Sequence, residues 1–232
     1  MGNKIRIAID GPSGAGKSTI AKRVAKRLGI DYIDTGAMYR AVGYKILEKQ
    51  IDLKDTESLT GLLAETDIDF VNGNIILDGE IVNEKIRTHE ISKIASDASA
   101  LQAVRDKLVA LQKKMGQAKS VVMDGRDIGT NVLEDAEFKF FMTASASERA
   151  QRRWLELAEK GEKADLAQVE ADIIQRDHND STRKLNPLKK AEDAIELDTT
   201  GMTIEEVTNK PDVTFLYSHK RKLGDFFIYI WL

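Results

Sequence analysis

Residues 11 to 18 read Gly-Pro-Ser-Gly-Ala-Gly-Lys-Ser, a glycine-rich turn closed by a lysine and a hydroxyl. This G-x-x-x-x-G-K-[ST] spacing carries its meaning only between a buried strand and a helix that opens on the loop. Both flanks read that way. Ile5 to Ile9 is a short, mostly apolar run that fits a strand buried on two faces. From Ser18 to Leu28, the apolar Ile20, Val24 and Leu28 recur at helical spacing. Lys22, Arg23, Lys26 and Arg27 cover the opposite side, and Gly29 ends the run. Glycines let the backbone wrap so that successive N–H groups point at one phosphate chain, and the helix adds its positive dipole end. Lys17 supplies a mobile positive charge for the β- and γ-phosphates, and the Ser18 hydroxyl a ligand for Mg²⁺.

The rest of the chain keeps an alternating rhythm. A strand over Asp31–Asp34 runs into a helix capped by Thr35 and extending to about Lys49. Short β runs at Ile68–Val71, Ile75–Leu77 and Ile81–Val82 are separated by Asn72-Gly73-Asn74 and Asp78-Gly79-Glu80, which read as a small antiparallel insert. Helical periodicity returns from about Thr88 to Gly116. Core strands follow at Val121–Asp124 and Phe138–Met142, then helices over Ser145–Lys160 and Leu166–Asp180, a strand over Ala194–Asp198 and a last helix from Thr203 to Asn209. Strands alternating with helices predict a parallel sheet.

Composition removes several kinds of chemistry. The chain has no Cys, so thiol catalysis, Cys-ligated zinc, iron–sulfur clusters and a disulfide framework are excluded. Its three His are scattered, which argues against a zinc site. A formal net charge of −3 argues against general nucleic-acid binding, so any anion site is local. No apolar run approaches the ~20 residues of a membrane span. The expectation is a cytoplasmic protein, a monomer, with neither nucleic acid nor membrane as partner.

Phosphoryl transfer to another phosphate needs an arginine-lined acceptor site and no general base, because the acceptor oxygen is already ionised at pH 7. Arg40, Arg126, Arg176 and Arg183 each follow or close a core element and are the candidates. Arg176, Asp180 and Arg183 fall at i, i+4 and i+7 on one helical face. Arg149, Arg152 and Arg153 fall at i, i+3 and i+4. A solvated salt-bridge ladder produces the same spacings. The functional alternative for the second set is a lid that closes arginines over the reacting phosphates.

Five segments in register carry a closer resemblance: Ile9 to Thr19, Asp34-Thr35-Gly36-Ala37-Met38-Tyr39-Arg40, Ile86-Arg87-Thr88, Asp124-Gly125-Arg126-Asp127-Ile128-Gly129-Thr130, and Arg176-Asp177 through Arg183 with Pro187-Leu188. Over about residues 3 to 209 the chain resembles the bacterial cytidylate kinases. The resemblance implies ATP-dependent phosphorylation of CMP and dCMP, with Mg²⁺. The fold it implies is an α/β parallel-sheet P-loop kinase core with helices on both faces. Residues 1–210 would form the kinase domain, with 61–90 as a CMP-binding β insert and 149–165 as a short Arg-rich lid.

By position, the resemblance makes Gly11, Pro12, Ser13, Gly14, Ala15, Gly16, Lys17, Ser18 and Thr19 the ATP phosphate loop. Lys17, Arg126, Arg149 and Arg153 become its catalytic cations. Arg40, Arg126 and Arg183 would hold the CMP phosphate with Thr35 beside them. Ser96, Arg105 and Asp127 would meet cytosine, and Arg176 and Asp180 the ribose. An Asp127 carboxylate suits the N4 amino group of cytosine, and Arg105 and Ser96 suit O2 and N3. On the residues alone, Ser96 reads better as a buried helix serine and Arg105 as the partner of a nearby acid, and the alternative for Asp127 is a carboxylate capping the turn after its strand.

Other readings keep the same loop. An adenylate, guanylate or shikimate kinase would differ in the acceptor pocket, and a nucleotide switch or NTPase would transfer to water. Asn209-Lys210-Pro211-Asp212 matches the letters of a guanine motif but follows no buried strand. Residues 211–232 depart from the family pattern. They hold 6 of the chain's 14 aromatics, yet their last apolar run, Phe226 to Leu232, is only 7 residues, too short for an anchor.

Overall fold

The structure is a computed structural model that describes residues 4–71, 73–159, 161–210 and 213. Among the described residues, five strands form a parallel sheet: β1 (Arg6–Asp10), β2 (Asp31–Asp34), β6 (Val121–Gly125), β7 (Phe138–Thr143) and β8 (Ile195–Asp198), in the order β2-β6-β1-β7-β8. A second sheet, β3 (Ile68–Val71), β4 (Asn74–Leu77) and β5 (Glu80–Ile81), is antiparallel. The parallel core and the antiparallel insert match the sequence expectation.

Strand β1 occupies the centre because its side chains are apolar on both faces. Ile7 and Ile9 pack into one hydrophobic cluster with Ile20, Val24 and Leu28 of α1 (Lys17–Leu28), and Ala8 faces another. That second cluster is larger. It gathers α2 (Thr35–Glu48), α3 (Thr56–Ala64), α4 (His89–Ala98) and α5 (Gln102–Ala118) with Ile68, Ile75, Leu77, Val82 and Ile86, so the antiparallel insert shares the core of the main domain. Lys45 of α2 ties the two together, donating to the Glu65 carbonyl at 3.0 Å and lying 2.6 Å from the Asp78 carboxylate. Helices α6 (Ala146–Glu159) and α7 (Leu166–Thr182) pair around a small cluster of their own, Ala150, Val169 and Ile173. A short α8 (Ile204–Thr208) follows β8 and opens on a capping box between Thr203 and Glu206.

Two local expectations are corrected and one helix is added. The cap of α2 is Asp34, whose carboxylate accepts from the Ala37 N–H at 2.8 Å; Thr35 is the first helical residue, and its hydroxyl donates to the Asp124 carbonyl at 2.7 Å. The stretch from Thr88 to Gly116 is two helices, because Leu101 turns extended between them. Helix α3, not read from the pattern, is capped by Asp55 and buries Leu59, Leu62 and Leu63. The aromatic-rich segment 211–232 lies outside the described residues except Val213, which is buried in the α1 cluster. Among the described residues no helix is long and apolar enough to cross a membrane.

Candidate active site

The carboxyl ends of β1, β6 and β7 meet at the loop between β1 and α1, where an open parallel sheet gathers its ligands. Gly11 leaves β1 with φ +146°, and a Cβ there would sit 2.0 Å from the Met142 carbonyl oxygen of β7, so only glycine fits. Gly16 precedes α1 in the left-handed region, and Lys17 is the first helical residue. The Lys17 side chain is buried and donates to the Pro12 carbonyl at 2.7 Å. Burial, then repulsion from Arg126, brings its ammonium down to about 7, against the pull of Asp124 and Asp10.

Ser18 donates to the Asp124 carboxylate at 2.8 Å, and the Tyr32 hydroxyl donates to the other oxygen of the same carboxylate, also at 2.8 Å. Burial raises Asp124 to about 6, and Asp34 adds to the shift. A hydroxyl beside a carboxylate suits a hard cation whose other ligands are water and phosphate oxygens. Among the described residues no group of three or more His, Cys, Asp or Glu could hold a metal, so such a cation would depend on the nucleotide for most of its ligands. Asp10, at the end of β1, accepts from the Ile128 and Gly129 N–H groups at 2.8 and 2.7 Å, and burial raises it to about 6. It thereby fixes the loop carrying Arg126 and Asp127 to the phosphate-loop strand.

Next to Lys17 lies a cluster of arginines. Arg126 donates to Asp180 at 2.7 Å, and Arg40 to Asp34 at 3.2 Å. Arg176 is pushed down to about 10 by burial and by repulsion from Arg126 and Arg40. The Nε groups of Arg40 and Arg176 are buried and find no hydrogen-bond partner among the described residues. Buried donors left unpaired beside mutually repelling cations suit an anionic ligand.

A second cluster surrounds Asp127. Its carboxylate accepts from Arg105, from Arg183 at 3.0 Å and from Asn131 at 3.0 Å. The turn that follows receives no side-chain cap from Asp127, so the carboxylate is committed to the arginines and not to the backbone. Arg105 is 2% exposed, and two of its nitrogens are buried without a partner among the described residues. The Tyr39 hydroxyl beside them is likewise unpartnered, and burial raises it to about 12. Ser96 is half-buried on α4, and its carbonyl accepts from Ser99.

The arginines of α6 diverge. Arg149 is buried and donates to the Ser13 and Ala144 carbonyls at 3.0 and 2.9 Å and to Asp177 at 2.6 Å. Arg152 reaches Glu148 and the Thr199 carbonyl, while Arg153 pairs with Glu156 at the surface. Sequence reasoning gave no role to Asp10, Tyr32, Tyr39, Asp124 or Asp177. For Asp10 and Asp124 a signal existed, since each ends an apolar core strand at the edge where ligands bind.

The family model described as cytidylate kinase matches residues 7–213. A cytidylate kinase of Caldicellulosiruptor saccharolyticus is 56% identical over 211 residues, covering 89% of this chain and 93% of that protein. One from Clostridioides difficile is 52% identical over 210 residues, covering 90% and 97%. One from Desulfitobacterium hafniense is 48% identical and covers 97% of both chains. Among solved structures, an uncharacterized protein from Eubacterium ventriosum superimposes with a TM-score of 0.52 over 94% of this chain and all of its own, at 14% identity, a likeness of fold alone. Matches of this identity over nearly the whole length of the relatives leave one assignment: the chain belongs to the cytidylate kinase family.

Proposed function

We propose that the protein transfers the γ-phosphoryl group of ATP to CMP or dCMP, giving ADP and CDP or dCDP. The observation that carries this reading is the convergence of buried Lys17 with Arg40, Arg126 and Arg176 at the carboxyl edge of the sheet, where the Nε groups of Arg40 and Arg176 are buried without a partner among the described residues. Residues Gly11 to Thr19 hold the donor phosphates. Lys17 neutralises charge on the transferring group, and Arg40, Arg126 and Arg183 orient the acceptor phosphate. An acceptor oxygen attacks the γ-phosphorus in line, the bond from that phosphorus to the β–γ bridging oxygen breaks, and ADP leaves with the electron pair. Ser18, with Asp124 beyond it, would help hold Mg²⁺, which neutralises the phosphates when bound.

On the acceptor side, Asp127 and Arg105 read the amino edge and the acceptor atoms of cytosine, with Ser96 near by, while Arg176 and Asp180 take the ribose. Residues 61–90 form the insert on the base side, and 149–165 the lid, with Arg149 against the loop and Arg153, paired with Glu156 at the surface, turning to the phosphates on closure. A coupled assay of ADP release across nucleoside monophosphates tests the reading. CMP and dCMP should give turnover far above the no-acceptor control; equal ADP release with and without acceptor would make the protein an NTPase.

Arg40→Ala should raise KM for CMP, dCMP and UMP by a similar factor, about tenfold or more, since a phosphate contact is blind to the base. Loss of CMP turnover with UMP turnover kept would remove Arg40 from the phosphate site. The depressed Lys17 ammonium adds a pH dependence. Phosphate binds the protonated form, which prevails below about 7, so kcat/KM for ATP should fall as pH rises above about 7. Bound phosphate raises the ammonium again, so kcat should hold to higher pH. The comparison of the two profiles between pH 6 and 9 is the measurement.

A further inference from the structure

Helix α7 faces two ways. Asp180 and Arg176 look toward Arg126 and the acceptor side, whereas Asp177 binds Arg149 at 2.6 Å. Arg149 in turn donates to the carbonyl of Ser13, inside the phosphate loop, at 3.0 Å. Gly14 packs on the same arginine: a Cβ at that glycine would lie 3.0 Å from the Arg149 Cβ. Charge-assisted bonds therefore leave α7 in both directions, from Asp180 to Arg126 and from Asp177 to Arg149 and the loop, joined by one turn of the helix itself. The second oxygen of Asp177 is buried without a partner among the described residues. Helices α6 and α7 also share a cluster separate from the two that back the sheet, so this pair can settle on the loop as a unit.

We infer that Asp177 is a positioning residue that couples the two substrate sites, holding Arg149 on the Ser13 carbonyl so that an acceptor seated on α7 pre-organises the loop for ATP. The inference rests on the reading of Arg126, Arg176 and Asp180 as acceptor contacts. An acceptor seated on Arg126, Arg176 and Asp180 fixes α7, α7 fixes Asp177, and Asp177 fixes Arg149. The ordering cost of the loop is then met before ATP arrives, which makes the two bindings favour each other by the same factor in either order.

Calorimetric titration of the full chain with the non-hydrolysable analogue AMP-PNP, without and with saturating CMP, tests this. The wild type should bind AMP-PNP about tenfold tighter with CMP present, and Asp177→Asn should reduce that factor to about twofold or less. CMP alone should bind Asp177→Asn as well as the wild type or better, because a negative charge beside Arg126 and Arg176 is gone. General damage to the fold would weaken CMP instead. An unchanged coupling factor in the variant, or none in the wild type, overturns the inference. Should Asp177→Asn fail to fold, Asp177→Ser carries the same titration: coupling cut to about twofold or less with CMP affinity kept supports the inference, whereas a larger remaining coupling factor, or weakened CMP binding, refutes it. A wild type that couples the ligands yet yields no CMP-dependent ADP would refute the kinase reading and leave this one standing.

Discussion

Lys17→Ala should lower kcat by about 10³-fold or more while the protein stays folded. The lysine is buried at the start of α1 and, among the described residues, donates to the Pro12 carbonyl. Burial and repulsion from Arg126 and Arg176 work against its charge, and Asp124 and Asp10 offset them in part. Removing a donor aimed at charge that grows in the transition state costs about 10² to 10³ in rate, and a full positive charge in a dry site costs at least as much. The same deletion relieves repulsion among the cations, so the melting temperature should move by no more than a few degrees. Lys17→Arg should not restore turnover, because a planar guanidinium cannot occupy the slot of a compact ammonium. Turnover within tenfold of wild type in the alanine variant would remove Lys17 from the transfer step.

Asp127→Ala should lower kcat/KM for CMP by about 10²-fold or more, corresponding to about 2.7 kcal/mol, while UMP changes little. At C4, CMP carries a donor amine and UMP an acceptor carbonyl, so a carboxylate on that edge attracts the first and repels the second. The structure adds a cost. Asp127 accepts from both Arg105 and Arg183, and its loss strands the buried Arg105 guanidinium while Arg183 keeps the Asn186 carbonyl, so the alanine variant should also lose about 3 kcal/mol of stability. Asp127→Asn keeps the shape and one acceptor, which makes it the better probe of base choice. Its CMP/UMP ratio, measured side by side with wild type, should fall at least tenfold; an unchanged ratio would reduce Asp127 to an anchor for the two arginines.

What could be read from the chain divides along sequence distance. The strand, loop and α1 were legible because every signal, the Ile7–Ile9 run, the glycines, Lys17 and the Ile20–Val24–Leu28 stripe, lies within some twenty-five residues. The break between α4 and α5 was not, since Ala98, Leu101, Val104 and Leu108 continue a helical stripe through it with no Gly or Pro to mark the turn. Helix α3 had a signal in Asp55 followed by Leu59, Leu62 and Leu63. For the site, the residue types were visible and their pairing was not. Asp127 meets partners 22 and 56 positions away, and Arg149 and Arg153, neighbours on one helix, go to the loop and to solvent respectively. Periodicity states which residues share a face, but not what lies opposite it.

The central place of β1 bears on how the chain comes to be folded as it is made. β1 precedes the other described strands in the chain, yet both of its neighbours arrive late: Arg6 pairs with Val121, and Ile7 with Phe138. Until about residue 125 has been synthesised, the phosphate loop has no sheet behind it, and the Met142 carbonyl that packs over Gly11 comes later still. Pairings of such long range are slow, because the loop must close before any contact rewards it. The apolar strand Ile7–Ile9 therefore waits unpaired with both edges open, the condition in which nascent chains associate with one another or with chaperones. Nascent chains arrested before residue 120 should bind no nucleotide, and those extended past β7 should be the first to resist protease.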